Sequence, residues 1–331
     1  MPHAIRIEQN GGPEVLNWVE VEVGKPGQGQ LRLRQTAVGV NFIDIYFRSG
    51  MYKAPNGLPF VPGSEAAGVV DAVGEGVDGF APGDHVVYQG VLGSYAEVRL
   101  VPAERCVKLP EDVDDKTAAA VFLKGVTVHS LLFRTFPVVK GTTLLWHAAS
   151  GGVGVIACQW ASALGATVIG TVGSADKAKL AKKNGAAHVI NYREENFVER
   201  VKEITQGKGV DVVYDSVGKD TFPGSLDCLR PLGMWVSFGA ASGPPPEFPV
   251  SMLQQKGSLF ATRPTIVHYL AKRPDLETAA HGLFDVLRAG KVKVEIGQEF
   301  PLKAAADAHR ALESRKTIGS TVLTPQASPG I

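Results

Sequence analysis

The residues Thr143-Leu-Leu-Trp-His-Ala-Ala-Ser-Gly-Gly-Val-Gly154 have the types and spacing to hold a diphosphate. A short β-type run enters a glycine-rich turn, and the residues beyond Gly154 carry helical apolar spacing. Gly151 would let the backbone approach a pyrophosphate and Gly154 would let the helix pack closely on the strand. The helix start would offer free N–H groups and the positive end of its dipole. The first position of the G-x-G-x-x-G register is Ala149, a departure from the dinucleotide fingerprint. Strand before and helix after carry the reading, since the glycines alone describe a tight turn equally well.

A second group of residues decides which dinucleotide. An NAD site usually ends its second strand in Asp or Glu, which takes the ribose 2′-hydroxyl. Here the chain reads Thr171-Val-Gly-Ser-Ala-Asp-Lys177, so the strand ends on Gly173-Ser174 with no acid to repel a 2′-phosphate. Ser174 can cap the next helix and Lys177, one turn along, can meet the phosphate as a point charge, which favours NADPH. In the blander alternative Ser174 is only a cap and Lys177 a solvated surface residue.

Metal chemistry finds no donor set. Eight His and three Cys are present, but no pair has ligand spacing. His85 and His147 lie in apolar strands and are expected in the core. Cys106, Cys158 and Cys228 fit neither a disulfide framework nor a metal knuckle, so a reducing, cytoplasmic setting is expected. The N-terminal Met-Pro-His-Ala-Ile-Arg-Ile-Glu lacks the apolar core of a signal peptide. Gly141 to Ala175 carries no charged side chain, yet glycines and polar residues interrupt it too often for a membrane span.

The elements that must position these residues follow from the pattern. Residues 1 to about 122 are punctuated, β-rich and barrel-like, with period-two alternation in Leu31-Arg-Leu-Arg-Gln-Thr-Ala-Val. From Gly141 strands and helices alternate, the signature of a parallel sheet with crossover helices. Strands are expected at 143–147, 167–171, 188–191, 210–215, 234–238 and 259–262, and helices at 153–163, 175–183, 196–205 and 221–229. A helix over 276–289, a helix pattern over 300–313, a strand at 320–323 and a tail from Pro325 complete the chain. Glycine is abundant, 38 of 331 residues, against a usual share of about 7%. With 34 Lys+Arg against 33 Asp+Glu there is no global field to recruit nucleic acid or an anionic membrane.

The order of β-rich lobe, parallel-sheet domain and returning C-terminal segment accompanies Gly39-Val-Asn-Phe-Ile-Asp-Ile-Tyr46, Pro62-Gly-Ser-Glu-Ala-Ala-Gly68, Gly83-Asp84, Phe122-Leu-Lys-Gly-Val-Thr127 and Ala148-x-x-Gly151-x-x-Gly154. This combination resembles the medium-chain dehydrogenase/reductase superfamily. Asn191-Tyr-Arg-Glu, Tyr214-Asp-Ser-Val-Gly218 and Leu312-Glu-Ser-Arg315 resemble its zinc-free NADPH:quinone oxidoreductase, zeta-crystallin-like branch. Zinc alcohol dehydrogenases carry Cys where this chain has Asn41, and Gly-His-Glu where it has Gly63-Ser64-Glu65, so no metal is expected.

The resemblance implies an α/β fold, with a discontinuous GroES-like catalytic domain (1–122 and 266–331) and a doubly wound Rossmann NADPH-binding domain (123–265). It implies that Gly151, Gly152 and Val153 meet the pyrophosphate, that Gly173 lets backbone approach the dinucleotide, and that Ser174, Lys177, Tyr192 and Arg315 surround the 2′-phosphate. Thr127, Ser216, Phe238, Gly239 and Arg263 would line the ribose and nicotinamide. Asn41, Asp44, Tyr46 and Tyr52 would face a flat quinone in the interdomain cleft, and Asn41, Tyr46 and Tyr52 would donate hydrogen bonds to the charge that develops there. In the bland alternatives Asp44 caps a helix, the tyrosines pack, and Tyr192 and Arg315 are surface contacts. An enone or enal acceptor is the alternative chemistry, and an RNA-binding or structural role the alternative class. The resemblance also implies a homodimer formed through the edge strand 258–262.

Overall fold

The computed structural model describes residues 1–314 and 317–325, so Arg315, expected at the 2′-phosphate, and nearly all of the tail lie outside the described residues. The chain forms two compact units: Met1–Leu123 with Arg273–Phe284 and the segment from Val294, and Lys124–Lys272 with Asp285–Lys293.

In the first unit β1 (His3–Arg6) pairs antiparallel with β2 (Asn17–Glu20). The hub of the larger sheet is β3 (Gln30–Val40), which runs directly into α1 (Phe42–Ser49). β4 (Glu65–Val73) pairs antiparallel along most of β3, with register shifts, and β5 (His85–Gln89) pairs with β4. β6 (Val98–Pro102) covers the first half of β3, and β7 (Cys106–Lys108) extends the sheet beyond β5. The alternation read over residues 31–38 works as expected at its start, because Leu31 and Leu33 point into a core with Val38, Val86, Tyr95 and Leu323. α2 (Asp115–His129) then leads into the second unit and widens into a π-helical turn over Ser130–Thr135.

The second unit contains β8 (Thr143–Trp146), α3 (Gly152–Ala163), β9 (Thr167–Val172), α4 (Ala175–Lys183), β10 (His188–Asn191), α5 (Phe197–Ile204), β11 (Val210–Asp215), α6 (Gly224–Asp227), β12 (Leu229–Ser237), α7 (Ser251–Gln255), β13 (Phe260–Thr262) and α8 (Ile266–Tyr269). All six strands are parallel, in the order β10-β9-β8-β11-β12-β13. This is the doubly wound order whose reversal between β8 and β11 marks the ligand-binding end of such sheets. α9 (Arg273–Arg288), β14 (Ile296–Pro301), α10 (Ala305–Glu313) and β15 (Ser320–Thr324) complete the chain, and β15 returns to pair with the end of β3.

Some expectations change. The helix pattern over 300–313 begins only at Ala305, because Phe300 and Pro301 pair with Leu323 and Thr324 and sheet pairing overrides the helical period. The helix expected over 221–229 shrinks to Gly224–Asp227, since Thr221 instead donates its hydroxyl to Asp215, at 2.8 Å. His85 is not a core residue. It is the exposed first residue of β5, where its ring pairs with Asp115 at 2.7 Å, whereas His147 is buried as expected.

Candidate active site

In the parallel-sheet unit the turn after β8 is held by backbone. The Ala149 N–H donates to Thr171 O at 3.1 Å and the Gly151 N–H to Ala148 O at 2.9 Å, while Ala148 sits in the left-handed region at φ 55°. Gly151 caps α3, so the N–H groups of Gly152 and Val153 have no carbonyl one turn back. A Cβ on Gly154 would stand 2.8 Å from Ala149 Cα, a distance that backbone does not tolerate. The helix therefore sits close enough to the strand for its N-terminus to serve as an anion cradle. The donor chemistry fits a diphosphate.

The end of β9 is free of carboxylate. Ser174 caps α4, its hydroxyl accepting from the Lys177 N–H at 3.4 Å, and the neighbouring Asp176 pairs with Lys179 at 3.2 Å. Tyr192 follows β10, with its N–H on Val172 O, and its ring reaches across Gly173: a Cβ there would lie 2.5 Å from the phenol oxygen. Gly173, Ser174 and Tyr192 thus lie together, partly open to solvent, with Lys177 on the first turn of α4 beside them.

At the ends of β11 and β12, Ser216 and Gly239 approach so closely that a Cβ on Gly239 would stand 2.6 Å from Ser216 O. Phe238 packs on Trp146, with ring centroids 5.4 Å apart. Arg263 latches this corner by donating to Ser237 O at 3.0 Å and Gly239 O at 2.6 Å. Thr127 is half-buried in α2. The organiser is Asp215. Its carboxylate accepts from the N–H groups of Val217 and Gly218, the hydroxyls of Thr221 and Ser225 and the Trp235 indole, all between 2.8 and 3.2 Å. Burial alone would raise its pKa, but the nearby His147 ring and these donors outweigh it and hold the carboxyl below the usual range.

In the β-rich unit Asn41 caps α1. Its Nδ2 donates to Glu65 Oε1 at 2.9 Å, and Glu65 Oε2 accepts from the Leu123 N–H, so Asn41 keeps a second amide hydrogen for another acceptor. Asp44 accepts from the Asn41 N–H at 2.9 Å, from Ser64 Oγ at 2.8 Å and from Tyr95 Oη at 3.2 Å. Tyr46 and Tyr52 meet edge to face with centroids 5.3 Å apart, and Tyr52 lines a shallow pocket with Asn10, Lys53, Leu58 and Phe60.

Residues 27–111 match the alcohol dehydrogenase GroES-like domain and residues 152–281 the zinc-binding dehydrogenase domain. The chain is 52% identical over 328 residues to a quinone oxidoreductase of Salmonella typhimurium, covering 98% of this chain and all of that one. It is 49% identical over 336 residues to a 2-haloacrylate reductase of a Burkholderia species, covering 99% and 100%. The crystal structure of the Escherichia coli quinone oxidoreductase complexed with NADPH superposes with a TM-score of 0.96 at 49% identity, covering 98% of this chain and 100% of that one. The chain belongs to the quinone oxidoreductase branch of the medium-chain dehydrogenase/reductase superfamily.

Within this branch the zinc-binding label of the second domain does not describe the residues present. Among the described residues no three His, Cys, Asp or Glu side chains gather where they could hold a metal ion. Asn41 turns a donor amide to Glu65, the Ser64 hydroxyl is given to Asp44, and Glu65 is occupied on both oxygens. These residues do not fit a metal.

One expected contact needs correction: Asp44 is fully buried with its carboxylate already engaged, so it supports its neighbours and does not touch a substrate itself. Four residues escaped the sequence reading. Tyr95, His309, Arg48 and Glu313 continue the Asp44 network, Tyr95 Oη lying 2.9 Å from His309 Nε2, Arg48 3.0 Å from His309 Nδ1, and Arg48 in a two-pronged pair with Glu313 at 2.6 and 3.1 Å. Only Leu312-Glu-Ser-Arg315 hinted at one of them.

The network has a pH signature. Burial, with Arg48 beside it, pushes His309 down to about 3 from an ordinary 6.5. The unfolded chain takes up that proton first, so the contribution of His309 is present above about pH 6.5 and lost as pH falls toward 3. Asp44, raised by burial to about 7, works in the opposite direction, since its contribution is lost as pH rises from about 4 to 7. The fall in thermal midpoint from about pH 6.5 to 4 is expected to be smaller in His309→Gln than in the parent chain. An equal fall in the two proteins would rule this out.

Proposed function

We propose that the protein is an NADPH-dependent reductase that delivers a hydride to a quinone without a metal ion. The observation that carries the reading is the pairing of an acid-free β9 end, with Ser174, Lys177 and Tyr192 gathered there, with a diphosphate-type turn at the start of α3. The Escherichia coli and Salmonella relatives support the acceptor.

When bound, NADPH supplies the hydride. Gly151, Gly152 and Val153 hold its diphosphate by backbone N–H groups, and Lys177 meets the 2′-phosphate. Ser216, Phe238 and Gly239, tied by Asp215 and Arg263, border the ribose and nicotinamide, with Thr127 beside them. The free amide hydrogen of Asn41 and the hydroxyls of Tyr46 and Tyr52 donate to the quinone oxygen as negative charge develops on it. Donors placed in advance lower that barrier because they need not reorganise.

The reading is tested by an NADPH oxidation panel of ortho-quinones, para-quinones and enones, where failure with every quinone would reject it. Lys177→Ala is expected to raise KM for NADPH about tenfold or more and leave KM for NADH nearly unchanged, as loss of one charge-assisted contact predicts. Equal changes for both cofactors would refute the 2′-phosphate contact.

A second reading, reduction of an activated carbon–carbon double bond, is favoured by the 2-haloacrylate reductase relative. It requires the same flat acceptor and anion-stabilising donors. We further propose that two copies pair through the edge strand β13, where Phe260 is exposed, and that the enzyme is cytoplasmic. A monomeric mass in light scattering at micromolar concentration would reject the dimer. Near-zero net charge speaks against nucleic acid as a partner, and among the described residues no helix is long and apolar enough to cross a membrane.

A further inference from the structure

The donors around Asp44 differ in whether they can reverse. The Asn41 N–H has one direction only. Tyr95 is fixed by a chain that begins at Arg48, whose guanidinium can donate but never accept. His309 Nδ1 therefore accepts from Arg48, Nε2 carries the ring proton and gives it to Tyr95 Oη, and the Tyr95 hydroxyl is left to donate to Asp44 Oδ2. Glu313 holds Arg48 from the far side, and Arg48 also donates to Gly11 O at 3.1 Å. The hydroxyl of Ser64, 2.8 Å from Asp44 Oδ1, is the donor that can turn round. A proton on Asp44 must then sit on Oδ1 and be donated to Ser64 Oγ, which frees the Ser64 hydrogen to point elsewhere. Ser64 Oγ and the Asn41 N–H both bond the Asp44 carboxylate, so Asn41 and Ser64 belong to one cluster.

We propose that Asp44 and Ser64 form the proton-delivery pair of the reaction, Asp44 storing the proton and Ser64 handing it to the reduced acceptor, with Tyr95, His309 and Arg48 as positioning residues that leave it a single exit. This rests on the NADPH-dependent reduction proposed above. After two electrons and one hydrogen nucleus have arrived as hydride, the acceptor carries negative charge. The Ser64 O–H bond breaks as the new O–H bond of the product forms, or a C–H bond for a double-bond acceptor. The Asp44 proton moves to Ser64 Oγ, and the carboxylate left behind is satisfied by its three donors. Water reloads Asp44 through Ser64 once product has left.

The groups facing Asp44 set its working range. Burial raises it to about 7 against the hydrogen bonds from Ser64, Asn41 and Tyr95, and the carboxylate of Glu65 on β4 adds to the rise. Arg48 on α1 and His309 on α10 act through Tyr95, and the charge of Glu313 is spent on Arg48.

The test is the pH dependence of kcat for NADPH-driven quinone reduction by the full chain between about pH 5 and 9, in H2O and D2O. The wild-type rate is expected to fall as pH rises above about 7, with a solvent isotope effect below it. Ser64→Ala should lower kcat about a hundredfold and abolish both features with KM for NADPH unchanged, and Ser64→Thr, which keeps the hydroxyl, should restore them. Tyr95→Phe removes a donor that stabilises the carboxylate and should move the falling limb to higher pH. A folded Ser64→Ala enzyme that retains the wild-type rate, limb and isotope effect overturns the relay alone. A wild-type chain that reduces neither quinones nor enones overturns the functional reading and the relay with it.

Discussion

Replacing Asn41 with Ala is expected to lower kcat for quinone reduction about a hundred- to a thousandfold, the cost of removing one preorganised donor to a developing oxyanion. Asn41 is held for that task twice, by its position at the start of α1 and by the bond from Nδ2 to Glu65 Oε1. One amide hydrogen is thereby fixed and the other has a defined direction. The substitution also removes a helix cap, worth about 1 kcal/mol, and takes the Asn41 amide donor away from Glu65. Asn41→Ser separates the two effects, because a serine restores the cap without the amide. Its thermal midpoint should return toward that of the parent chain while turnover stays low. A kcat within twofold of the parent in Asn41→Ala would exclude the donor role.

Gly154→Ala is expected to cost about 3 kcal/mol or more of stability and to abolish measurable NADPH binding. The added methyl would lie 2.8 Å from the Cα and carbonyl carbon of Ala149, backbone pinned to Thr171 O, and overpacking against backbone has no side-chain route of relief. Gly151→Ala provides the contrast. There the nearest atom is Ala148 O at 3.3 Å, so the fold should tolerate the methyl with little loss of thermal midpoint while the diphosphate is displaced. Thermal unfolding and NADPH fluorescence titration of both variants check this pair. A Gly154→Ala protein as stable as the parent, with unchanged NADPH affinity, would show that α3 does not need its close approach.

The parallel-sheet unit was legible because its signals are local. Most strands there are short β-branched or apolar runs, helices carry caps such as Ser174 and Asn196, and crossover connections keep sequential elements adjacent. β10, β11 and α4 have the expected limits, whereas β12 begins at Leu229, earlier than the 234–238 run, because Leu229 pairs with Val210 across a register shift. His85 was misjudged because it opens β5: Val87 and Gln89 on the same side of the strand are buried, and alternation does not mark where along a strand burial begins.

What the residues by themselves determined is the nucleotide chemistry and the class of fold. A strand, a glycine turn and a helix within a dozen positions, and a β9 end without a carboxylate, are contiguous in the chain, so spacing alone exposes them. The polar network around Asp44 was decided only by tertiary structure. Arg48 and His309 stand 261 positions apart, Tyr95 belongs to neither helix, and Ser64 arrives on a third segment. No periodicity encodes such meetings, because each of these residues reads locally as a cap, a surface charge or a core aromatic. Antiparallel pairing of β3 with β4 and the return of β15 to β3 bring those segments together, and burial then turns four ordinary side chains into a directed chain of hydrogen bonds.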